Sequence, residues 1–416
     1  MPRAGWVKPS SDRRLSDLVS VGVLTRVFPP EVVDEVIAGA GRREQRSRVL
    51  SARVMAYFSI GMALYSEGSY QDVLAQLTDG LSWATGDTKD VVVPSASGIF
   101  QARARLGEAP VKALFEKVAV PLGAAGAPTV WLAGRRMVAI DGTCFEVADS
   151  VANDEFFGRP ASSKGECAAF PCARVVAIAE CGTRAIFAAR IGDYKTGETT
   201  LARDMLGEIG PGMVLLADRG FFSYDLWRKA TATGADLLWR IRTDKVGPKP
   251  KHVKDLDDGS YLAHLNRTTP ASERKREPML VRVIDYRIDQ HRDEGAQVGN
   301  GGDKPAGTTH RLFTTLLDPD EVTAADLTAA YHDRWEIEMA FDELKTHQRG
   351  PRMVLRSKSP ELVKQEIWGH LCCHYAIRSL MAEAAVHAGH DPGRLSFTTA
   401  LRITRRTVAR PGDFPP

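Results

Sequence analysis

No run in this sequence reaches the ~18 uninterrupted apolar residues that a membrane helix needs, and the opening MPRAGWVKPSSDRR lacks the apolar core of a secretory signal. A cytoplasmic location and no membrane partner are expected. Cysteine is scarce: Cys144, Cys167, Cys172, Cys181, Cys372 and Cys373 are scattered without the paired C-x2-C halves of a zinc site, so reduced buried thiols are expected. His370, Cys372, Cys373 and His374 are metal-ligating types on one probable helix, but Ile367, Trp368, Leu371 and Tyr375 around them read as ordinary helix packing. An excess of one charge is missing too. Lys and Arg number 55 against 52 Asp and Glu, a net +3, so affinity for nucleic acid must come from local clusters such as GRREQRSR at 41–48 and RITRRTVAR at 402–410. There is no internal repeat, and the one biased stretch is the loop HRDEGAQVGNGGDKPAG at 291–307.

What is present is ordinary globular material: 416 residues, 44% hydrophobic and 26% charged, enough for two or three domains around a buried core. Residues 1–123 read as a helical domain. LSDLVSVGVL, FPPEVVDEVIAGAG, SARVMAYFSIGMALYSEG and SYQDVLAQLTDG carry helical periodicity with Pro at a start and Gly at an end. The Ser-capped PSASGIFQARARL then presents Gln101, Arg103 and Arg105, linked through Gly107 and Pro110 to a further helix. Two readings stay open there: a DNA-recognition helix of a helix-turn-helix, or an amphipathic helix with solvated arginines.

GAAGAP at 123–128 marks a boundary, after which β-branched runs take over. MVAIDGTCFEV, ARVVAIAECG and RAIFAARIG read as three strands, GETTLARDMLGEIG as a helix, MVLLADRGFFS as a strand, SYDLWRKATATG as a helix and ADLLWRIRTD as a strand. That order is the order of an RNase H-like core. The expected architecture is α/β: a catalytic domain at 129–350, interrupted at 246–317 by a β-rich insertion (SYLAHLN, MLVRVIDYRI, RLFTTLL), and a helical region at 351–416.

The run TAADLTAAYHDRWEIEMAFDELKTH, residues 323–347, has no internal Gly or Pro and starts with Thr323 and Asp326 at capping-box spacing. One helix is expected. At about 100° per residue, with Tyr331 at zero, Glu338, Lys345 and Arg334 fall at roughly −20°, −40° and −60°. Ala330, Ile337, Phe341 and Leu344 form an apolar stripe beside them, and His332, Asp333, Glu336 and Glu343 lie opposite, on what should be a solvated face. Glu336→Gln or Glu343→Gln should then shift stability by only about 0.5 kcal/mol. The polar stripe suggests a site, although an i,i+4 salt bridge between Arg334 and Glu338 explains part of it equally well.

Asp141 in VAIDGT and Asp218 in VLLADRGFF each end an apolar run, as a phosphate-approaching or metal-binding Asp would, and as a turn Asp also would. In an RNase H-like fold these two and Glu338 converge at one end of the sheet. Three such carboxylates repel unless cations neutralise them, and hard oxygen donors without His or Cys favour two Mg²⁺ or Mn²⁺ ions, with no small-molecule cofactor.

The spacing Y-x2-R-x3-E-x6-K at Tyr331, Arg334, Glu338 and Lys345 resembles the signature of the DDE transposases of the insertion-element-four (IS4) family. DGTCFEVAD with VAND, FGRP, AFPCARVVAIAECGTRAI and LADRGFFSYDLW extend the resemblance, and LSDLVSVGVLTRVFPPEVVDEVI resembles the family's N-terminal domain. The resemblance implies cut-and-paste transposition, with Asp141, Asp218 and Glu338 as catalytic metal ligands and Tyr331, Arg334 and Lys345 holding DNA phosphates. It implies double-stranded DNA as partner, both terminal inverted repeats and target, a homodimer in the synaptic complex, and a nucleoid-associated location. Some members stack a flipped base on a Trp, for which Trp239 is the candidate by position. A domesticated DNA-binding descendant and a metal-dependent nuclease without strand transfer are the alternatives.

Overall fold

Five helices precede the sheet: α1 (Pro30–Gly39), α2 (Ala52–Leu64), α3 (Tyr70–Thr85), α4 (Ala96–Leu106) and α5 (Ala109–Val118). They belong to a computed structural model that describes residues 22–46, 48–85, 94–127, 129–160, 168–265, 278–287, 309–350 and 354–407. Most of LSDLVSVGVL, Cys167, the loop 291–307 and the end of the basic run 402–410 lie outside the described residues. The helix starts follow the sequence signals: Ser51 and Ser95 accept from the backbone N–H groups of Val54 and Gly98, and Pro30 opens α1.

The middle of the chain runs β1 (Trp131–Leu132), β2 (Arg135–Glu146), α6 (Val151–Phe157), β3 (Cys172–Glu180), β4 (Ile186–Asp193), α7 (Glu198–Arg203), β5 (Met213–Ala217), α8 (Tyr224–Thr231) and β6 (Asp236–Ile241). It continues with β7 (Lys251–Asp255), β8 (Tyr261–Leu265), β9 (Met279–Arg287) and β10 (Thr309–Thr314). Then come α9 (Ala324–His332), α10 (Trp335–Asp342), a π-helical turn (Glu343–His347), α11 (Pro360–Ala388) and α12 (Phe397–Thr407). The sheet order is β4-β3-β2-β5-β6-β10-β9-β8-β7, with β1 beside β2. β3 runs antiparallel to both β2 and β4, while β5 and β6 join parallel to β2. This is the RNase H-like arrangement in a mixed α/β fold.

The inserted strands extend the same sheet: β10 pairs antiparallel with β6, and β9, β8 and β7 follow. β7, KHVKD, escapes sequence reading because all five of its residues are exposed and it has no apolar face to alternate. Its charges suit an edge strand that must not recruit another chain.

α11 joins the two halves. Its middle is buried from Gln365 to Arg378, with α2 packed on one side. A Cβ on Gly369 would lie 2.4 Å from the Ser59 carbonyl oxygen, so glycine is what allows this close approach.

Two sequence expectations are corrected here. Arg103 is fully buried and cannot read DNA. Its guanidinium donates to Gln365 Oε1 (3.0 Å), the Tyr70 hydroxyl (2.6 Å), Ser357 Oγ (3.3 Å) and the Leu362 carbonyl (3.3 Å). It clamps α4 to α11, and only Gln101 and Arg105 of the three remain exposed. Trp239 is likewise core: it sits on β6, a central strand covered by α8, edge-to-face with Trp227 at 5.1 Å. No base can stack on it.

Arg103→Ala should therefore cost at least ~2–3 kcal/mol in denaturant unfolding, because several buried partners lose a charged donor. Arg105→Ala should stay within about 0.5 kcal/mol of the parent. Equal small losses for both would return Arg103 to the surface.

Candidate active site

The parallel register of β2 and β5 sets Ile140 opposite Ala217, so Asp141 and Asp218, each the next residue along the chain, come level with one another. Asp141 does not end its strand as expected. β2 continues to Glu146, with Asp141 opposite Ala177 of β3, and only β5 stops before its Asp. Gly142 is required by what crosses it: a Cβ there would sit 2.6 Å from Glu198 Cδ. Glu198, the first residue of α7, thus brings a fourth carboxylate beside Asp141. Sequence reasoning missed it, since an acid in a helix's first turn is an ordinary complement to the helix dipole. Burial pushes the Asp141 carboxyl up to about 6; the Gly142 N–H and Arg334 pull it down, while Glu338 and Glu198 push it up.

The expected single helix is capped as read, with Thr323 Oγ1 accepting from the Asp326 N–H at 3.1 Å, but it is not continuous. The Arg334 N–H donates to the Tyr331 carbonyl and the Ile337 N–H to that of Arg334, a three-residue spacing that tightens the chain and starts α10 afresh. The break places Arg334 under the sheet's edge, buried, with Nη2 donating to Glu338 Oε1 (2.8 Å) and Nη1 3.6 Å from Asp141 Oδ2. Both readings of the pair hold at once: it is an i,i+4 bridge, and it reaches the site.

Tyr331 is buried, its hydroxyl 3.5 Å from the carbonyl of Ala217, the residue before Asp218. Lys345 Nζ donates to Thr143 Oγ1 at 3.1 Å, two residues beyond Asp141. A cleft of about 400 Å³ opens among Asp141, Thr143, Glu338, Phe341 and Lys345. Asp218, just past β5, has its Oδ1 3.8 Å from Arg240 Nη1, and that oxygen is buried without a hydrogen-bond partner. Arg240, at the end of β6, also went unread in the sequence. Trp335, beside Arg334 and 58% exposed, is the aromatic side chain that the site does present to solvent.

Among the described residues no three His, Cys, Asp or Glu side chains form a ready-made ion cage. Arg334 stands between Asp141 and Glu338. In α11, His370 and His374 are engaged separately, with Gln348 and Glu343.

Two family models cover most of the chain: the insertion element 4 transposase N-terminal model matches residues 18–116, and the transposase DDE domain model matches residues 132–376. This chain belongs to the IS4 family of DDE transposases. It is 29% identical over 392 residues, 93% of this chain and 84% of the relative, to the transposase InsG for insertion sequence element IS4 of Escherichia coli K12. It is 36% identical over 72 residues, 17% of this chain and 19% of the relative, to the transposase for insertion sequence element IS421 of Escherichia coli. A solved piggyBac transposase synaptic complex with hairpin DNA aligns over 93% of this chain and 79% of its own at 10% identity and a TM-score of 0.46.

In this transposase the back of the signature helix is not a solvated face, which corrects the reading of Glu336 and Glu343. Glu343 is buried. Its carboxylate accepts from Arg378 Nε (2.9 Å), Arg184 Nη1 (3.2 Å) and His374 Nε2 (3.2 Å), and pairs again with Arg378 Nη2. Glu336 pairs with the same Arg184 through both of its oxygens. The ideal 100° step fails because the tight turn at Arg334 overwinds the chain and the π turn after Asp342, closed by Gln348 N–H to Glu343 O at 2.8 Å, underwinds it. Arg184 itself holds φ +57 at the β3–β4 turn, a conformation that a bulky residue keeps only where its surroundings fix it.

Burial alone would raise the Glu343 carboxyl, but the His374 hydrogen bond and the Arg378 charge outweigh it and hold it at about 2. Burial holds His374 below its ordinary range, so it serves as a neutral Nε2–H donor. A carboxyl depressed on folding contributes stability that is full above its unfolded pKa and is lost as pH falls toward its folded one. Glu343→Gln should destabilise by about 3–5 kcal/mol, since it strands buried arginine charge, and should flatten the pH dependence of stability between about 4.5 and 2. Thermal melts across that range decide; a variant as stable as the parent would put Glu343 in water.

Proposed function

We propose that this transposase cleaves the ends of its insertion element and joins them to target DNA, using Asp141, Asp218 and Glu338 as a catalytic triad. The observation that supports this best is the level placement of Asp141 and Asp218 on adjacent parallel strands, with Glu338 facing them from α10. A phosphate entering there adds negative charge beside these acids, which divalent cations would offset.

The donor set suits hard divalent cations: carboxylate oxygens only, one of them the buried Asp218 Oδ1, which accepts no hydrogen bond. Asp141, Asp218 and Glu338 would hold two ions of the Mg²⁺ or Mn²⁺ type. The chemistry such ions supply when bound is activation of the attacking hydroxyl and stabilisation of the leaving oxygen in an in-line displacement.

The remaining work falls to side chains of the chain itself. Arg334 counters Asp141 and Glu338, and its planar fork suits a phosphate that enters between them. Lys345, on the floor beside Thr143, offers a point charge to the same strand of DNA. Tyr331 fixes the carbonyl side of the β5 end from which Asp218 projects. The partner is double-stranded DNA, the terminal inverted repeats and the target, with two copies of the chain each holding one end. The N-terminal helices, 1–123, form the end-binding domain, and 129–350 the catalytic domain carrying the 246–317 insertion, with 351–416 as the helical C-terminal region.

Glu338→Gln should abolish cleavage of an uncut end and strand transfer of a pre-cut one, while end binding in a mobility-shift gel stays near that of the parent. Parent activity should need Mg²⁺ or Mn²⁺ and fail in Ca²⁺. Full activity in a chelator, or cutting by Glu338→Gln, would sink the triad; cutting without joining would leave a nuclease.

A further inference from the structure

The loop between α1 and α2 carries Arg42, Arg43, Arg46 and Arg48, all exposed, and it does not run free over the surface. It forms one wall of a cleft of about 480 Å³ whose other wall is the C-terminal end of α4, where Arg105 is exposed. Five arginines thus face one space, with Glu44 as the acid among them. Glu44 is turned inward: its Oε2 accepts from the Ala52 N–H at the start of α2 (3.3 Å), and among the described residues it pairs with Arg48, at 3.7 Å. Among the described residues Arg42, Arg43, Arg46 and Arg105 make no ion pair. Arg105 has only a hydrogen bond to the Leu50 carbonyl (3.3 Å), which ties α4 to the loop's far end.

This concentration is anomalous for a chain whose net charge is +3. Five guanidinium groups around one concavity repel each other, and the field they make is focused by the cleft's walls. The chemistry that offsets it is a polyanion. Guanidinium forks match phosphate oxygens two at a time, and five of them line this one cleft.

We infer that this cleft grips the sugar–phosphate backbone of duplex DNA, independently of sequence, and so gives the N-terminal helices their affinity for DNA. The inference rests on the transposase reading above and adds to it a site and a mode. Arg103, the middle member of the expected recognition helix, is a buried clamp. Arg105 survives as one wall of a backbone grip, not as a base reader.

The test uses the full chain with two duplexes of equal length, one carrying the element's end and one of unrelated sequence, between 50 and 200 mM salt. Arg42→Gln/Arg43→Gln/Arg46→Gln should weaken binding to both duplexes by the same factor, roughly tenfold or more. It should also lower the slope of log affinity against log salt by about 3, one unit for each phosphate grip removed. The ratio between the two duplexes should not change. The lysine versions of the same three substitutions should recover most of the affinity. Arg105→Gln, on the opposite wall, should lower the slope by about 1 with an unaltered melting curve, which keeps the inference testable should the triple variant fold poorly.

Unchanged affinity and slope in the variants would overturn the inference while leaving the transposase reading intact. Loss on the end duplex alone with an unchanged slope would also overturn it, in favour of base reading. A parent chain that binds neither duplex in a salt-dependent way would overturn both.

Discussion

The site depends on one guanidinium. Arg334 lies between Asp141 and Glu338, bonded to the second and 3.6 Å from the first, and without it two acids on facing elements would repel at the edge of a low-dielectric core. Everything around it fixes where it stands. The three-residue hydrogen bonds at the α9–α10 break lower it toward β2, Tyr331 packs under it at 5.9 Å, and Arg184 pins the opposite face of α10 through Glu336 and Glu343. A helix carrying acids on two faces is held to the sheet by an arginine on each.

The inserted strands take part in that placement. Asp258, in the β7–β8 turn, accepts from the Ala324 N–H at 2.6 Å, an anion on the N-terminal turn of α9. It also pairs with Arg282 of β9, whose buried guanidinium donates to the carbonyls of Leu316, Asp318 and Val322. The chain leading from β10 into α9 is therefore stitched to the insertion, and the start of the signature helix is set by strands far from the acids it will carry.

Much of this was legible in the residues. The β2, β3, β4, α7, β5, α8, β6 order follows from β-branched runs broken by capped helices, and the neighbouring positions of Arg334 and Glu338 beside Asp141 agree with helical period. The period fails at Glu343 because it assumes one uniform helix, whereas hydrogen bonds to the third and then the fifth neighbour re-aim the turns on either side of α10. Glu198 and Arg240 had no legible signal: Arg240 comes to the acids through sheet register and Glu198 through the crossing of α7 over Gly142, contacts between residues many positions apart. Arg103 and Trp239 failed for a shared reason. A charged side chain on a capped helix and a Trp in a β-run look alike in sequence whether the neighbouring layer is water or another element, and here it is α11 in one case and α8 in the other.

The near balance of charge in this chain has the same origin. Among its interior arginines, Arg103, Arg282, Arg334 and Arg378 are answered by carbonyls, amides and acids drawn in to meet them: Asp258 for Arg282, Glu338 for Arg334, Glu343 for Arg378. Pairs of that kind cancel in the net charge and contribute nothing to the field outside. What remains outside includes exposed arginines with no ion pair among the described residues, and Arg42, Arg43, Arg46 and Arg105 gather four of them around one cleft. A count over the whole sequence averages these two populations into a small positive number. Burial separates them, and only the second population is free to meet a polyanion.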